Sequence, residues 1–520
     1  MFSLAQNYVT RGFWGDEAWT SLISQLPYKD MLTTTAADFH PPGYYSIIEL
    51  VYKFLPPTEL VTRSISFLFY LLTIFMVYKL ASVFSVIVSE TKGLDSSATP
   101  QNDKKNNRGK EIFGLNLFGL LSAAVVALNP IFFRYAFEAR NYTMFAFAAT
   151  GSIFFLLEIS KSGPVSSSVI ASGEQSNLTT ARLPLRQRRI AMTKKEVGFV
   201  LFTTLGIYTH YYMFFVLGAQ GLYLILFDRK VLLKMIGLYL VTVILYLPCL
   251  PFLFGQLKSV AGDYWIGTVD KRTHYEALLR ILGGEGKNLI RPWLFGISVV
   301  LLIVGLAQHA LRIDPESLRL NSGQASSGQR FEKPYLLIWL WAVVPFILAT
   351  LPGFKFDGVH LPFRPIFFWR YLIGSSIPLA MVMIHSAQKL RPGLFALSVA
   401  AILVLSAAVD YLTLASYPYG FKQVYTSEVV PKINSSDKIV TVLPSFAEVL
   451  YYRNRNNLSN ELTVLPEGLV QFSGKSLLDA YTANGVVKIS DEISGRYFEL
   501  RPGPSVRTVN SNDQAPNFKQ

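Results

Sequence analysis

VTRSISFLFYLLTIFMVYKLASVFSVIV, residues 61–88, decides the fold class. Only Arg63 and Lys79 interrupt it with charge. A helix crossing a bilayer needs roughly 17–25 apolar residues, and this run supplies them. Working outward, further runs of the same kind fall at 112–130, 142–160, 197–210, 211–227, 235–255, 293–310, 335–352, 370–386 and 393–413. The chain reads as a polytopic α-helical membrane protein of about ten spans. The 197–210 run is short, and with its neighbour it can form one re-entrant unit. Residues 43–55, ended by Pro56 and Pro57, are apolar but too short to span.

Composition agrees with this class. Hydrophobic residues make up 51% of the 520 and charged residues 16%, against about 25% charge in soluble domains. The net charge of +14 sits mostly in short loops between apolar runs. No basic stripe with interleaved aromatics occurs, so the charge is a topology signal and nucleic acid is excluded as a partner. The single cysteine, Cys249, lies inside an apolar run, so neither an intrachain disulfide nor a cysteine metal site can form. Residues 1–42 lack a charged start followed by an apolar stretch, and no cleavable signal peptide is expected.

Loop charge orients the chain. The segments 90–111, 161–196, 228–234, 311–334 and 387–392 together carry 21 Lys and Arg, whereas 131–141, 256–292 and 353–369 carry 10. The first set is expected in the cytoplasm, which turns both termini outward; the expected location is the plasma (inner) membrane. The linkers 93–110 and 161–181, rich in Ser, Asn, Gly and Lys, read as flexible cytoplasmic loops. After residue 413 the texture changes. Lys438–Leu443, Leu462–Leu465, Val486–Ile489 and Arg496–Leu500 are β-like, and Phe446–Tyr452 and Ser476–Thr482 are helical. The expected organisation is a transmembrane domain over 1–413, with a first outer loop at 1–60. A small extracytoplasmic α/β domain follows at 414–502, and a disordered tail at 503–520.

Polar groups at the borders of the apolar runs show where chemistry gathers. Asp16, Glu17, Asp38, His40, Glu138, Arg140, His210, Asp263 and Arg370 all fall on the outer side of this topology. Ionisable groups there are costly, and nine on one face point to a shared cavity. In Gly15-Asp16-Glu17-Ala18-Trp19 the carboxylates open a helical stretch; Asp is a good N-cap, and a positioned Asp can also take a proton from an attacking hydroxyl. Asp38-Phe39-His40-Pro41-Pro42-Gly43-Tyr44-Tyr45 is either an interfacial corner or a phosphate or metal contact. In Glu138-Ala139-Arg140-Asn141-Tyr142 an arginine lies outside, against the loop-charge trend; it either pairs with Glu138 or offers its planar fork to a phosphate. Tyr208-Thr209-His210-Tyr211-Tyr212 is an aromatic belt or a ligand contact, with Tyr211 beside His210. Phe368-Trp369-Arg370-Tyr371 starts a span, and Asp263 lies in the largest outer inter-span loop. Asp16, Glu17 and Asp38 carry oxygens that suit Mg²⁺ or Mn²⁺, although nothing in the sequence requires a cofactor. No glycine-rich nucleotide loop, HExxH or nucleophile elbow occurs.

Taken in order, the Asp-Glu pair, His-Pro-Pro-Gly-Tyr-Tyr, Glu-Ala-Arg-Asn-Tyr, Tyr-Thr-His-Tyr and Trp-Arg-Tyr-Leu resemble the bacterial GT-C glycosyltransferases. They lie close to the dolichyl-phosphate-mannose protein mannosyltransferase-like group, glycosyltransferase family 39. The resemblance covers most of 1–413. It implies an inverting transferase that moves a sugar from a polyprenyl-phosphate donor to an acceptor hydroxyl at the outer membrane face. The acceptor is a glycan, a lipid or a protein. Asp16 takes the family's catalytic aspartate position, with Glu17 beside it, and His40, Arg140, His210 and Arg370 map to carrier-phosphate elements. The family has a transmembrane helix before the Asp-Glu loop; the residues Met1–Trp14 that precede it here cannot span. The alternative is a lipid-linked sugar flippase or transporter without bond chemistry, which would carry charges near mid-bilayer and broken helices in repeated halves.

Overall fold

Long uninterrupted apolar runs become long helices. The computed structural model describes residues 2–93, 111–112, 115–161, 192–262, 266–267, 269–310, 333–353, 355–356, 359–360, 364–416, 420–467, 469 and 474–510. Among these, six helices are long and apolar enough to cross a membrane: Glu59–Val88, Tyr142–Lys161, Arg229–Lys258, Arg291–Gln308, Lys333–Thr350 and Pro392–Ala415. A seventh candidate is the pair Leu117–Ala127 and Pro130–Ala136, bent by 67°. The chain is thus a polytopic helical membrane protein, but the expected ten spans are not ten long helices. Lys194–Thr209 and Met213–Phe227 are helices of 16 and 15 residues, parted where His210 turns extended. The run 370–386 is a 3-10 segment, Trp369–Ser375, followed by the 12-residue helix Ser376–Ala387. Nearly all of the linkers 93–110 and 161–181 lie outside the described residues, as does Asp263.

The bend at 128–130 has a local cause. Pro130 lacks an N–H and favours the first turn of a helix. Asn129 caps that turn by accepting from the Phe132 N–H at 3.1 Å, and its own amide donates to the Ile281 carbonyl at 2.9 Å. The redirected chain then carries Glu138 and Arg140 inward, both buried. Close packing between Tyr142–Lys161 and Lys194–Thr209 rests on two glycines. A Cβ on Gly151 would fall within the ring of Phe202, and one on Gly198 would fall within that of Phe155. Small residues that admit a neighbour's bulk are a common way for membrane helices to associate.

Residues 438–509 form a five-stranded sheet. From one edge its strands are Val487–Ile489, Leu462–Val464, Lys438–Thr441, Tyr497–Arg501 and Ser505–Val509. The first four run parallel and the last is antiparallel. The helices Leu443–Arg455 and Lys475–Ala483 supply crossovers, as parallel strands require. The tail expected from 503 is corrected up to residue 509. Leu500 and Val506 register across the last pair, with Gly503 at φ +84° making the turn, so an apparently polar stretch is held as an edge strand. This C-terminal unit packs directly on the segment expected as the first loop. Leu443–Arg455 lies against the helix Gly15–Ile23, and the Tyr481 hydroxyl donates to the Leu22 carbonyl at 3.1 Å.

Gly151→Leu should overpack the crossing against Phe202 and cost at least about 1–3 kcal/mol. Gly237→Ala, where a Cβ meets nothing within 4 Å, should not. Thermal melts of the two variants in detergent check this; equal melting temperatures would refute the tight crossing.

Candidate functional site

Thr10–Trp14 has no regular structure, so its position is set by side chains that reach it from elsewhere. Arg63, at the start of Glu59–Val88, is the main one. Its Nε donates to Glu17 Oε1 at 2.8 Å and its Nη2 to Oε2 at 2.5 Å. Its remaining donors reach the carbonyls of Val9 and Arg11, both at 2.6 Å, and Gly12 at 3.1 Å. Glu17 Oε1 also accepts from the Ala139 N–H at 2.9 Å, which joins this loop to the Glu138–Arg140 turn. Both side chains of the pair are fully buried. Burial alone would raise the Glu17 carboxyl, but the Arg63 guanidinium and the Ala139 N–H hold it below the usual glutamate range. The candidate catalytic Glu17 is therefore placed as a structural ion: its oxygens are occupied and closed to substrate.

Asp16, its neighbour, points elsewhere. The helix Gly15–Ile23 begins after Trp14, which makes no side-chain cap, so Asp16 is not the N-cap. Its carboxylate lies 3.8 Å from Arg140 Nη2 and 3.7 Å from Arg370 Nη1, and its side chain is 36% exposed. These distances are ion pairs and too long for hydrogen bonds, so the oxygens stay open to a ligand. Arg140 Nη2 also donates to His40 Nε2 at 3.1 Å, which leaves the His40 ring hydrogen on Nδ1, 3.6 Å from Asp38 Oδ2. Asp38, His40, Arg140, Asp16 and Arg370 thus form one continuous chain of polar side chains, with His40 its neutral link. Among the described residues, the Nε atoms of Arg140 and Arg370 are buried without a hydrogen-bond partner, as expected where a further anion belongs.

The remaining expected residues support this chain from behind. His210 packs among the rings of Phe145, Tyr142, Tyr371 and Tyr212, and its Nδ1 accepts from the Tyr212 N–H at 3.1 Å. Tyr211 hydrogen-bonds Gln256, whose amide donates to the carbonyls of Thr35 at 3.0 Å and His40 at 3.4 Å. Tyr211 therefore holds the His40 loop. Glu138 pairs with Arg134 at 3.2 Å, and Arg134 with Glu285 at 2.6 Å. Burial raises the Glu138 carboxyl, and Arg134 only partly offsets it. A cavity of about 540 Å³ opens beside Arg370, walled by Arg11, Trp14, Arg134, Glu138, Lys287 and Leu412. The guanidinium of Arg370 stands over the rings of Trp14, Phe368 and Trp369 at 5.1–5.3 Å.

Three contributors were not singled out from sequence. Arg63 reads as an ordinary end-of-span charge, although an arginine inside the opening of an apolar run is itself a signal of a buried partner. Lys287 belongs to a loop dense in charge. Glu448 comes from the C-terminal helix Leu443–Arg455 and lies beside Gly15, where an added Cβ would stand 4.0 Å from its Oε2. Burial, with Asp16 and Glu17 adding repulsion, pushes its carboxyl up to about 8. The carboxylates considered for a divalent ion do not make a ligand set. Among the described residues no three His, Cys, Asp or Glu side chains are grouped to hold one, and Glu17 is spent on Arg63.

No family model and no curated protein matches this chain. Solved structures do. ArnT from Cupriavidus metallidurans in the apo state matches with a TM-score of 0.56 at 12% identity, over 96% of this chain and 91% of that one. The chain has a GT-C fold. ArnT bound to undecaprenyl phosphate gives a TM-score of 0.55 at the same identity and coverage. The apo Archaeoglobus fulgidus oligosaccharyltransferase gives 0.47 at 12% identity, over 99% of this chain and 74% of that one. In this GT-C fold the charged chain gathers at one end of the helices, beside the C-terminal unit.

Removing one partner of a buried ion pair strands the other, at about 3–5 kcal/mol, so Glu17→Gln should lower stability by that order. Because the Glu17 carboxyl is lowered in the folded state, its contribution is present above the ordinary value of 4.5 and is lost as pH falls through the lowered one. Thermal melts between pH 7 and pH 3 should show wild type falling toward the Glu17→Gln protein. Parallel curves would disprove the structural role.

Proposed function

We propose that this protein is an inverting glycosyltransferase, similar to family 39, that moves a sugar from a polyprenyl-phosphate donor to an acceptor hydroxyl at the outer face of the plasma membrane. The observation that carries the reading is Asp16 standing open between Arg140 and Arg370, whose Nε donors are unused. Undecaprenyl phosphate bound to ArnT, a protein of the same fold, supports a lipid phosphate as the donor's carrier. The acceptor is a glycan, a lipid or a protein, and membrane lipid surrounds the spans.

The chemistry then follows from charge. Asp16 accepts the proton of the acceptor hydroxyl, and the oxygen attacks the anomeric carbon from the face opposite the phosphate. The bond to the phosphate oxygen breaks, and the lipid phosphate leaves with the electron pair. Its charge grows as the bond breaks, so fixed cations stabilise the transition state more than the bound donor. Arg140 and Arg370 are those cations. His40 and Asp38 hold Arg140 on its far side, and the three aromatic rings under Arg370 fix its plane without using its donors. The aromatic bed around His210 keeps Tyr371 and Tyr142 behind the two arginines.

Release of lipid phosphate from candidate polyprenyl-phosphate sugars by purified protein tests the reading, since a flippase moves the donor intact. Asp16→Asn keeps the size of the side chain and removes its basicity, so turnover should fall by about 10²–10⁴ while undecaprenyl phosphate still binds. Wild-type turnover in this variant would sink the assignment of the base. Arg140→Lys retains charge and loses the planar fork. It should weaken binding of the lipid phosphate by at least the tenfold that corresponds to about 1.4 kcal/mol, measured by calorimetry; unchanged affinity would remove Arg140 from the donor site.

A further inference from the structure

We propose that the cavity beside Arg370 receives the acceptor, and that this acceptor bears an anionic group, a phosphate or a carboxylate, held by Arg11 and Lys287. The inference rests on the reading of this protein as a transferase and names the class of its second substrate. The cavity is lined by Arg370 but not by Arg140, His40 or Asp38, so the cavity and the donor phosphate's cations meet at Arg370. Its lining carries four cationic side chains, Arg11, Arg134, Lys287 and Arg370, and two carboxylates, Glu138 and Glu285. Both carboxylates are engaged within the wall: Glu138 with Arg134 at 3.2 Å, and Glu285 with Arg134 at 2.6 Å and Arg280 at 2.8 Å. Positive charge is therefore left over to face the space itself.

Arg11 carries most of that charge. It is only 5% exposed; its Nη1 donates to the Tyr8 carbonyl at 2.7 Å, and its guanidinium lies 4.0 Å over the Tyr8 ring. Among the described residues it has no carboxylate partner, since Glu17 is engaged by Arg63 and Glu138 by Arg134. A buried cation without a counter-ion is unfavourable. The ring beneath offsets part of that cost and leaves the rest of the planar fork to donate to an anion. Lys287 stands on the loop 284–288, whose shape is fixed. Gly284 and Gly286 take φ of +84° and +90°, a region open to glycine, and a Cβ on Gly284 would stand 2.6 Å from Pro130 Cβ. Asn288 Oδ1 accepts from the N–H groups of Ile290 and Arg291 at 3.1 and 2.9 Å, and Arg291 Nη1 donates to the Gly286 carbonyl at 3.2 Å. With Glu285 held by its two arginines, the Lys287 ammonium is left without an ion pair or hydrogen bond among the described residues, at the cavity's edge. A further wall is Leu412 and Thr413, in the last turn of the membrane helix Pro392–Ala415, so an anion bound there stays at the end of the span, outside the hydrocarbon. The acceptor hydroxyl still gives its proton to Asp16 as described above; the anion orients the molecule that carries it.

The test uses inorganic phosphate as the probe and the full chain in detergent, saturated with undecaprenyl phosphate. Thermal melts against rising phosphate, with chloride at matched ionic strength as the control, report the affinity of the second site. Phosphate should raise the melting temperature of wild type above the chloride control. Its affinity should fall by at least about tenfold in Arg11→Gln and by a smaller, measurable factor in Lys287→Gln, while both variants keep wild-type affinity for undecaprenyl phosphate. Lys287 is exposed, so its variant should fold even where Arg11→Gln does not. No effect of phosphate beyond chloride, or equal phosphate affinity in wild type and Lys287→Gln, overturns the site. In turnover of a polyprenyl-phosphate sugar, inorganic phosphate should slow release of the lipid phosphate without raising the donor KM. A raised donor KM would assign the cavity to the donor and overturn the acceptor reading. Nanodiscs of phosphatidylglycerol and of phosphatidylcholine then separate the sources of the anion. Loss of the phosphate response in phosphatidylglycerol alone supports an anion carried on a lipid, and a response kept in both supports a soluble anionic acceptor. Absence of undecaprenyl phosphate binding and of turnover in wild type counts against the proposed function instead, and the melts still decide the anion site.

Discussion

The site depends on one buried ion pair. Arg63 has five N–H donors in a planar fork, and Glu17 and three backbone carbonyls occupy all of them. An arginine and a glutamate taken wholly out of water are expensive, and their attraction offsets that cost only when every remaining lone pair and proton is satisfied. Here they are, so the pair can sit at the head of a membrane helix. Its structural effect exceeds its net energy. It ties the carbonyls of Val9, Arg11 and Gly12 to the helix Glu59–Val88, and it fixes Glu17, the residue next to Asp16.

The second constraint is that breaks in the helices, more than their spans, make the site. Three of them deliver side chains to it: the Asn129-Pro130 bend, the extended residue His210, and the 3-10 segment Trp369–Ser375. A continuous helix would aim its ends at solvent. A broken one turns its polar residues inward while its backbone groups find partners, as Asn141 does on the Thr209 carbonyl at 2.7 Å and Tyr212 on the Ile366 carbonyl at 2.6 Å. Irregular backbone at this depth is tolerated where it is buried in protein.

Much of this was legible in sequence, for identifiable reasons. Apolar runs locate helices because lipid leaves few alternatives, and Val61–Val88 is found within one helix. The count of long helices was not legible, because apolarity does not report where a run breaks. Asp38, His40, Arg140, Asp16 and Arg370 stood out as polar groups at apolar borders, and the structure brings these five together. The division of labour between Asp16 and Glu17 was hidden, since adjacent carboxylates look alike until the partner of each is known. Nor could sequence show Glu448 beside Gly15, a contact between residues far apart in the chain. The edge strand Ser505–Val509 was misread as tail because an edge needs only one paired side and little apolar content.

The distance along the chain between Phe13 and Tyr452, 439 residues, has a consequence for biogenesis. The loop that carries Asp16 leaves the ribosome well before the helix that grips it. At the usual ~5–20 residues per second, that segment waits tens of seconds or more before Tyr452 and Lys422 exist to hold it. During that interval Arg63 can secure the loop to the first long helix, but Thr10 and Phe13 lack their partners Lys422 and Tyr452. A chain that ends before Tyr452 would therefore insert its helices while the segment leading to Asp16 stayed without that anchor.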